Sequence, residues 1–215
     1  MSDDTTATVD SRSPDDTGRA GIILAGGRST RFPTVDKALA PLDGNPLLWH
    51  VADAVEPAVD ELIVSCRRDQ REAFADTLEG FSVRFVVDKI PDRGPLVGLR
   101  TALDDTSATY AGVVPCDMPA VPAAFLDFLF GRAKNRTGAA PEFEGQLQPV
   151  PAVYHVRAAR AACREVESVG DNRLETLLER VDPHVVGERA VRAHVEPRAF
   201  QNINTHNDLA TARDR

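Results

Sequence analysis

The sequence holds three lysines, one tryptophan, three cysteines and no long apolar run among its 215 residues. Each scarcity excludes something. Cys66, Cys116 and Cys163 stand far apart, odd in number and without CxxC spacing, so neither a zinc site nor a disulfide framework is indicated. No segment approaches the roughly 18 uninterrupted apolar residues of a membrane span. The N-terminus lacks the basic start and apolar run of a signal peptide. A soluble, cytoplasmic protein without membrane contact is expected. His50, His155, His184, His194 and His206 show no ligand spacing, and Trp49 sits in a helical pattern where packing against a sheet is the expected role. Two common phosphate-binding patterns are missing as well. There is no GxGxxG, and where a P-loop would need Lys followed by Ser or Thr after Gly21 and Gly26, the chain has Gly27 and Arg28.

Positive charge is the further shortage. The formal net charge is −8, which disfavours nucleic acid as a partner and means that a polyanionic ligand needs a local basic pocket or a metal ion. The length suits one domain with a sizeable core. Residues 1–19 are rich in Asp, Ser and Thr, and Val9 is their only large aliphatic besides Met1. They are expected to form a disordered acidic leader, because they cannot bury enough apolar surface to offset ordering entropy. Residues 20–213 then make a single domain.

What is present is alternation. Strand-like and helix-like periodicity follow one another from residue 20 to about residue 133, which predicts βαβ units with right-handed crossovers and a mainly parallel sheet. Ile22, Ile23 and Leu24 read as a buried strand. Pro46 opens a helix striped by Leu47, Leu48, Val51 and Val55; LIVSC at 62–66 is a strand; a polar helix spans 69–79; a strand at 82–87 ends at Asp88. A helix follows over Pro95 to Leu103, a strand over 111–117, and a helix around Phe125 to Phe130. Beyond residue 134 the pattern is less regular, with a strand at 149–154 and helices near 157–168 and 172–180. Thr205 and Asp208 form a capping-box-like pair that starts a last helix.

The most informative stretch is GIILAGGRSTRFPTVDK, residues 21–37, in which a buried strand feeds Gly26 and Gly27 and then Arg28, Arg31 and Lys37. Glycines without a Cβ let backbone N–H groups approach phosphate oxygens. Asp88 after FVV and Asp117 after VVPC end strands at the rim where open α/β sheets bind ligands. Pro115 and Pro119 stiffen the backbone around Asp117, whose hard oxygens suit Mg²⁺ bridging to phosphates. GPLVG, Gly94 to Gly98, offers a helix N-terminus with free N–H groups.

These blocks, LAGG with RFPTVDK, FVVD, GPLVG, VPCDMP and the closing NINT followed by DL, resemble in order those of the molybdenum cofactor guanylyltransferases. The resemblance covers about residues 21–212. LAGG with GPLVG favours guanine, since the cytidylyltransferases acting on the same pterin tend to show TAAG and a different central segment. The resemblance implies a three-layer, Rossmann-like nucleotidyltransferase fold that transfers GMP from GTP to the phosphate of molybdopterin or Mo-molybdopterin and releases pyrophosphate, with Mg²⁺ as cofactor. Molybdenum cofactor assembly proteins or apo-molybdoenzymes are implied partners. Leu24, Ala25, Gly26 and Gly27 then contact base and phosphates, Arg31 and Lys37 neutralise phosphates, Ser65 and Asp88 bind the nucleotide, and Asp117 holds the metal. Gly94, Pro95, Gln148, Asn202 and Asn204 line the acceptor side. Phe32 and Pro33 stand where relatives usually have Met and Gly, and Ser65 where they often carry asparagine. Two other readings remain open at this point: guanylyl or cytidylyl transfer to another phosphorylated acceptor, or a non-catalytic GTP-binding module of cofactor assembly.

Overall fold

The structure, a computed structural model, describes residues 18–27, 36–87 and 94–213. Residues 1–17 of the expected leader, Arg28, Arg31, Phe32, Pro33 and Asp88 lie outside them; Arg19, expected to close the leader, instead opens the first strand and pairs with Tyr110. The chain opens with β1 (Arg19–Leu24), a short 3₁₀ turn (Lys37–Leu39), a two-stranded hairpin of β2 (Pro41–Leu42) and β3 (Asn45–Pro46), and α1 (Leu47–Val55). It continues through β4 (Glu61–Cys66), α2 (Arg71–Thr77), β5 (Val83–Val87), α3 (Pro95–Asp104), β6 (Tyr110–Pro115) and α4 (Ala123–Ala133). The second half contributes β7 (Gly138–Phe143), β8 (Gln146–Leu147), β9 (Ala152–His155), α5 (Val156–Ser168), α6 (Leu174–Val181), β10 (His184–Val186), α7 (Glu188–Arg192) and α8 (His206–Arg213).

The main sheet runs β10-β7-β9-β6-β1-β4-β5, with β8 attached to β7. Strands β6, β1, β4 and β5 are parallel neighbours, and β10 is parallel to β7. β9 runs antiparallel to both β6 and β7. Adjacent residues on each central strand serve opposite faces. Ile22, Ile63 and Val113 pack with Leu96, Leu99 and Leu103 of α3 and with α5 and α6. Ile23, Val64 and Val114 pack with Leu48, Val51 and Val55 of α1, Phe74 of α2, and Phe125 and Leu129 of α4. The result is the expected helix–sheet–helix sandwich with a mainly parallel centre. Gly21 is where the sheet and α1 close up, since a Cβ there would lie 2.5 Å from Val55 Cγ1.

Two local expectations are corrected, and three strands were not expected. The strand expected at 149–154 starts only at Ala152, because Pro149 and Pro151 have no N–H to give a ladder. Trp49 is half-buried, and its ring meets Phe81 and His50 edge-on at 5.9 and 5.5 Å instead of packing on the sheet. The second-half strands β7, β8 and β10 went unpredicted: GAAPEF buries Ala139 and Ala140 on opposite faces, a pattern of small residues with no alternation to read. Among the described residues, no helix is long and apolar enough to cross a membrane.

At the β10 edge, Arg136 donates to His184 Nδ1 at 2.9 Å. Burial, reinforced by the Arg136 and Arg132 guanidiniums, holds His184 below the ordinary imidazole value of 6.5. The unfolded chain therefore takes up a proton that the folded one resists. This contribution to stability is complete above the ordinary value and is lost as pH falls below it. Urea midpoints measured from neutral to mildly acid pH should fall less steeply for His184→Gln than for the unsubstituted protein. Parallel slopes would contradict this.

Candidate active site

A cleft of about 710 Å³ opens at the C-terminal ends of β1, β4 and β6. Strand order reverses there, since the chain builds outward from β1 to β4 and β5 and then returns to place β6 on the other side of β1. Such a reversal leaves a crevice between diverging loops.

One wall is the loop leaving β1, where Leu24, Ala25, Gly26 and Gly27 all face the cleft. It is tied to its neighbours by Ala25 N–H donating to Ser65 C=O at 2.9 Å and by Cys116 N–H donating to Leu24 C=O at 3.0 Å. Gly27 is outside the left-handed region, and a Cβ there would meet nothing within 4 Å among the described residues. Neither strain nor packing explains a glycine at this position. What the missing side chain leaves is bare backbone on the cleft wall.

Gly94 differs. Its φ of 81° suits glycine, and a Cβ would touch the Asn172 amide at 3.1 Å. This turn starts α3 with Pro95 at its first position, so the positive end of that helix borders the cleft beside Gly98.

Lys37 and Asp117 meet on the cleft lining. Asp36 accepts from Ala38 N–H at 3.0 Å, capping the 3₁₀ turn that presents Lys37. Lys37 Nζ donates to Asp117 Oδ2 at 2.5 Å and to Asn204 Oδ1 at 3.0 Å. Ile203 N–H donates to the Asp117 carbonyl at 2.9 Å. The Asp208 carboxylate accepts from Asn204 N–H and Thr205 N–H, both at 2.8 Å, and Thr205 Oγ1 accepts from Asp208 N–H in return. Ile203 and Leu209 pack with Ala40, Leu42 and Leu47. The last helix thus fixes Asn204 against a lysine far away in sequence.

Asp117 Oδ1 is buried and has no hydrogen-bond partner among the described residues. A buried, unpaired carboxylate oxygen is costly unless something else uses it. Beside it, burial, with the Asp117 charge adding to the effect, pushes the Cys116 thiol up to about 12. That favours the neutral thiol over the thiolate that acts as a nucleophile.

The lining also takes in Gly94, Pro95, Gln148, Pro149, Val150, Leu174, Glu175 and Asn202. Gln148 N–H donates to Pro141 C=O at 2.9 Å, and the buried Tyr154 hydroxyl donates to Pro149 C=O at 2.6 Å. At the start of α6, Asp171 accepts from Arg173, from Thr176 Oγ1 at 2.6 Å and from two backbone N–H groups. The Arg173 hydrogen bonds, first among these, hold its carboxyl well below the usual range.

The structure therefore brings Leu24, Ala25, Gly26, Gly27, Lys37, Ser65, Gly94, Pro95, Asp117, Gln148 and Asn202 to one cleft, with Asn204 reaching it through Lys37. The sequence reading did not pick out Asp36, Cys116 or Glu175 on the lining, nor Arg67 and Gln70 behind it. The only available signal for the last pair was polar residues directly after a buried strand, a pattern that ordinary surface loops share. No cluster of three or more His, Cys, Asp or Glu that could hold a metal occurs among the described residues.

Bare backbone beside a lysine and an open carboxylate oxygen, at the reversal point of such a sheet, marks a nucleotide-binding α/β protein. Residues 21–185 match the MobA-like NTP transferase domain family. A probable molybdenum cofactor guanylyltransferase from Haloferax mediterranei is 49% identical over 194 residues, spanning 90% of this chain and 92% of the relative. Another from Natronomonas pharaonis is 41% identical over 197 residues, spanning 92% and 98%. A solved structure, the molybdopterin-guanine dinucleotide biosynthesis protein A from Archaeoglobus fulgidus, shares the fold with a TM-score of 0.72 at 23% identity, over 91% of this chain and 97% of that one. The chain belongs to the MobA-like NTP transferases and, within them, to the molybdenum cofactor guanylyltransferases.

Proposed function

We propose that this protein transfers GMP from GTP to the terminal phosphate of molybdopterin, yielding a guanine dinucleotide form of the cofactor and pyrophosphate. The observation that carries the reading is the Lys37–Asp117 pair on the lining of the cleft, with Asp117 Oδ1 left unpaired. GTP lies along the β1 loop, where the backbone of Gly26 and Gly27 and the Lys37 ammonium meet its phosphates. Arg31 adds positive charge, Asp88 accepts from the N–H donors of guanine, and Ser65 borders the nucleotide. Molybdopterin lies against Gly94, Pro95, Gln148 and Asn202.

An acceptor phosphate oxygen attacks the α-phosphorus in line. The bond to the bridging oxygen breaks, and pyrophosphate leaves with the electron pair. No covalent enzyme intermediate is needed, since holding two anions together and stabilising the spread charge is the catalysis. The unpaired Asp117 Oδ1 is the hard oxygen through which this chain would hold Mg²⁺. When bound, the ion neutralises phosphate charge. Lys37 holds the other Asp117 oxygen, and Asn204 orients Lys37.

A nucleotide and acceptor panel checks this. With Mg²⁺ and molybdopterin, GTP should release pyrophosphate, and CTP should do so about 100-fold more slowly or not at all, because a carboxylate accepting from the adjacent N1–H and N2–H₂ of guanine meets no such donor pair on cytosine. Faster release with a sugar phosphate as acceptor would assign the chain to a different transfer, and silence with every acceptor would make it a binding module.

A further inference from the structure

Behind the glycine loop, on the side away from the cleft, sit two residues that the proposed chemistry does not use. Gln70 is 4% exposed and Arg67 is largely buried, yet neither lines the cleft. Their donors converge on consecutive carbonyls of the loop. Gln70 Nε2 donates to Ala25 C=O at 3.1 Å; Arg67 Nη1 donates to Gly26 C=O at 3.2 Å and to Gly27 C=O at 2.8 Å. The two are fixed to each other, since Arg67 N–H donates to Gln70 Oε1 at 2.7 Å.

Peptide geometry gives this a direction. In a trans peptide the C=O and the following N–H point opposite ways. Holding the Ala25 and Gly26 carbonyls from behind turns the Gly26 and Gly27 N–H groups toward the front, where the cleft is. Neither N–H has a hydrogen-bond partner among the described residues. Two successive amides facing one concavity make an anion-binding nest. The same device reaches Lys37: Gln70 Nε2 also donates to Asp36 Oδ2 at 2.6 Å, and the other Asp36 oxygen caps the turn that Lys37 begins.

We propose that Arg67 and Gln70 are positioning residues, a rear clamp that sets the Gly26 and Gly27 amides and the Lys37 turn in register to receive the triphosphate. This rests on the reading of the cleft as a GTP site. The clamp touches no ligand. It acts by removing the freedom of a glycine-rich loop, which would otherwise have to be ordered at the moment of binding.

Calorimetric titration of the full chain, in Mg²⁺, with GTP, inorganic pyrophosphate and guanosine tests it. In Arg67→Met, which keeps the stem but loses the donors, affinity for GTP and pyrophosphate should fall about tenfold or more, while guanosine changes less than about twofold. The GTP KM should rise with the acceptor KM unmoved, and Arg67→Lys, which restores one charged donor, should recover part of the loss. If Arg67→Met does not fold, the same titrations on Arg67→Lys decide, with an intermediate, phosphate-selective loss expected. Unchanged pyrophosphate affinity, or an equal loss for guanosine, overturns the clamp. Failure of the unsubstituted protein to bind GTP or pyrophosphate overturns the GTP site itself, and the clamp with it, and is recognised because no substitution is involved.

Discussion

Replacing Lys37 by alanine is expected to lower kcat/KM for GMP transfer by about 100-fold or more, the usual scale for losing a group that stabilises developing charge. Two features of the structure set this size. Among the described residues that line the cleft, Lys37 is the one Lys or Arg, so no other described lining cation takes its place. Its ammonium is fixed by Asp117 Oδ2 and Asn204 Oδ1, so its charge is placed before substrate arrives. The substitution also leaves the Asp117 carboxylate without this cation, costing about 1–3 kcal/mol of stability, which a urea titration should register. Lys37→Arg should be only partly active. A planar guanidinium offers a fixed fork of donors where the site holds a point charge between two oxygens. Steady-state rates with saturating acceptor check this, and near-normal turnover by Lys37→Ala would remove Lys37 from the mechanism.

Asp117→Asn tests the opposite member of the pair and should cost a similar two orders of magnitude in kcat, with a different signature. Asparagine keeps the shape and the contact made by its backbone, whose C=O accepts from Ile203 N–H, so the fold should persist. What disappears is the negative charge, and with the remaining amide oxygen turned to the Lys37 ammonium, an NH₂ that cannot ligate a cation stands where the structure leaves an oxygen unpaired. The Mg²⁺ concentration needed for half-maximal rate should therefore rise by about tenfold, whereas Lys37→Ala should leave that requirement near its original value. An Mg²⁺ titration of both variants separates the two roles. Asp117→Asn running at full rate with an unchanged Mg²⁺ requirement would show that its carboxylate is not the metal ligand.

The first half of the fold was legible because its strands are buried on both faces and its helices on one, so Ile22, Ile63 and Val113 stand out as apolar blocks between turn residues. The second half was less so. β7 tolerates Ala139, Ala140 and Pro141 because flanking elements approach closely, and small residues carry no periodic signal. At the site, the residues with unusual chemistry for their position were readable: glycines after a strand, a rare lysine, an aspartate between prolines. Their pairing was not. Lys37 and Asp117 are 80 residues apart, and only the crossover that returns the chain to β6 brings them within 2.5 Å. Arg67 and Gln70 were invisible for a related reason, since their partners are backbone carbonyls, which every residue has. Asp88 and Arg31, both singled out in the sequence, lie outside the described residues, so their roles rest on the resemblance and on the proposal drawn from it.

The central claim is that this cleft joins the α-phosphorus of GTP to an acceptor phosphate. Incubating the protein with Mg²⁺, molybdopterin and GTP labelled at either the α- or the γ-phosphate, then separating the products, tests it most directly. The account predicts that α-label moves onto the pterin in amounts equal to the unlabelled pterin consumed, and that γ-label appears only in pyrophosphate. Label arriving on the pterin from the γ position, or α-label remaining entirely in free nucleotide, would contradict it.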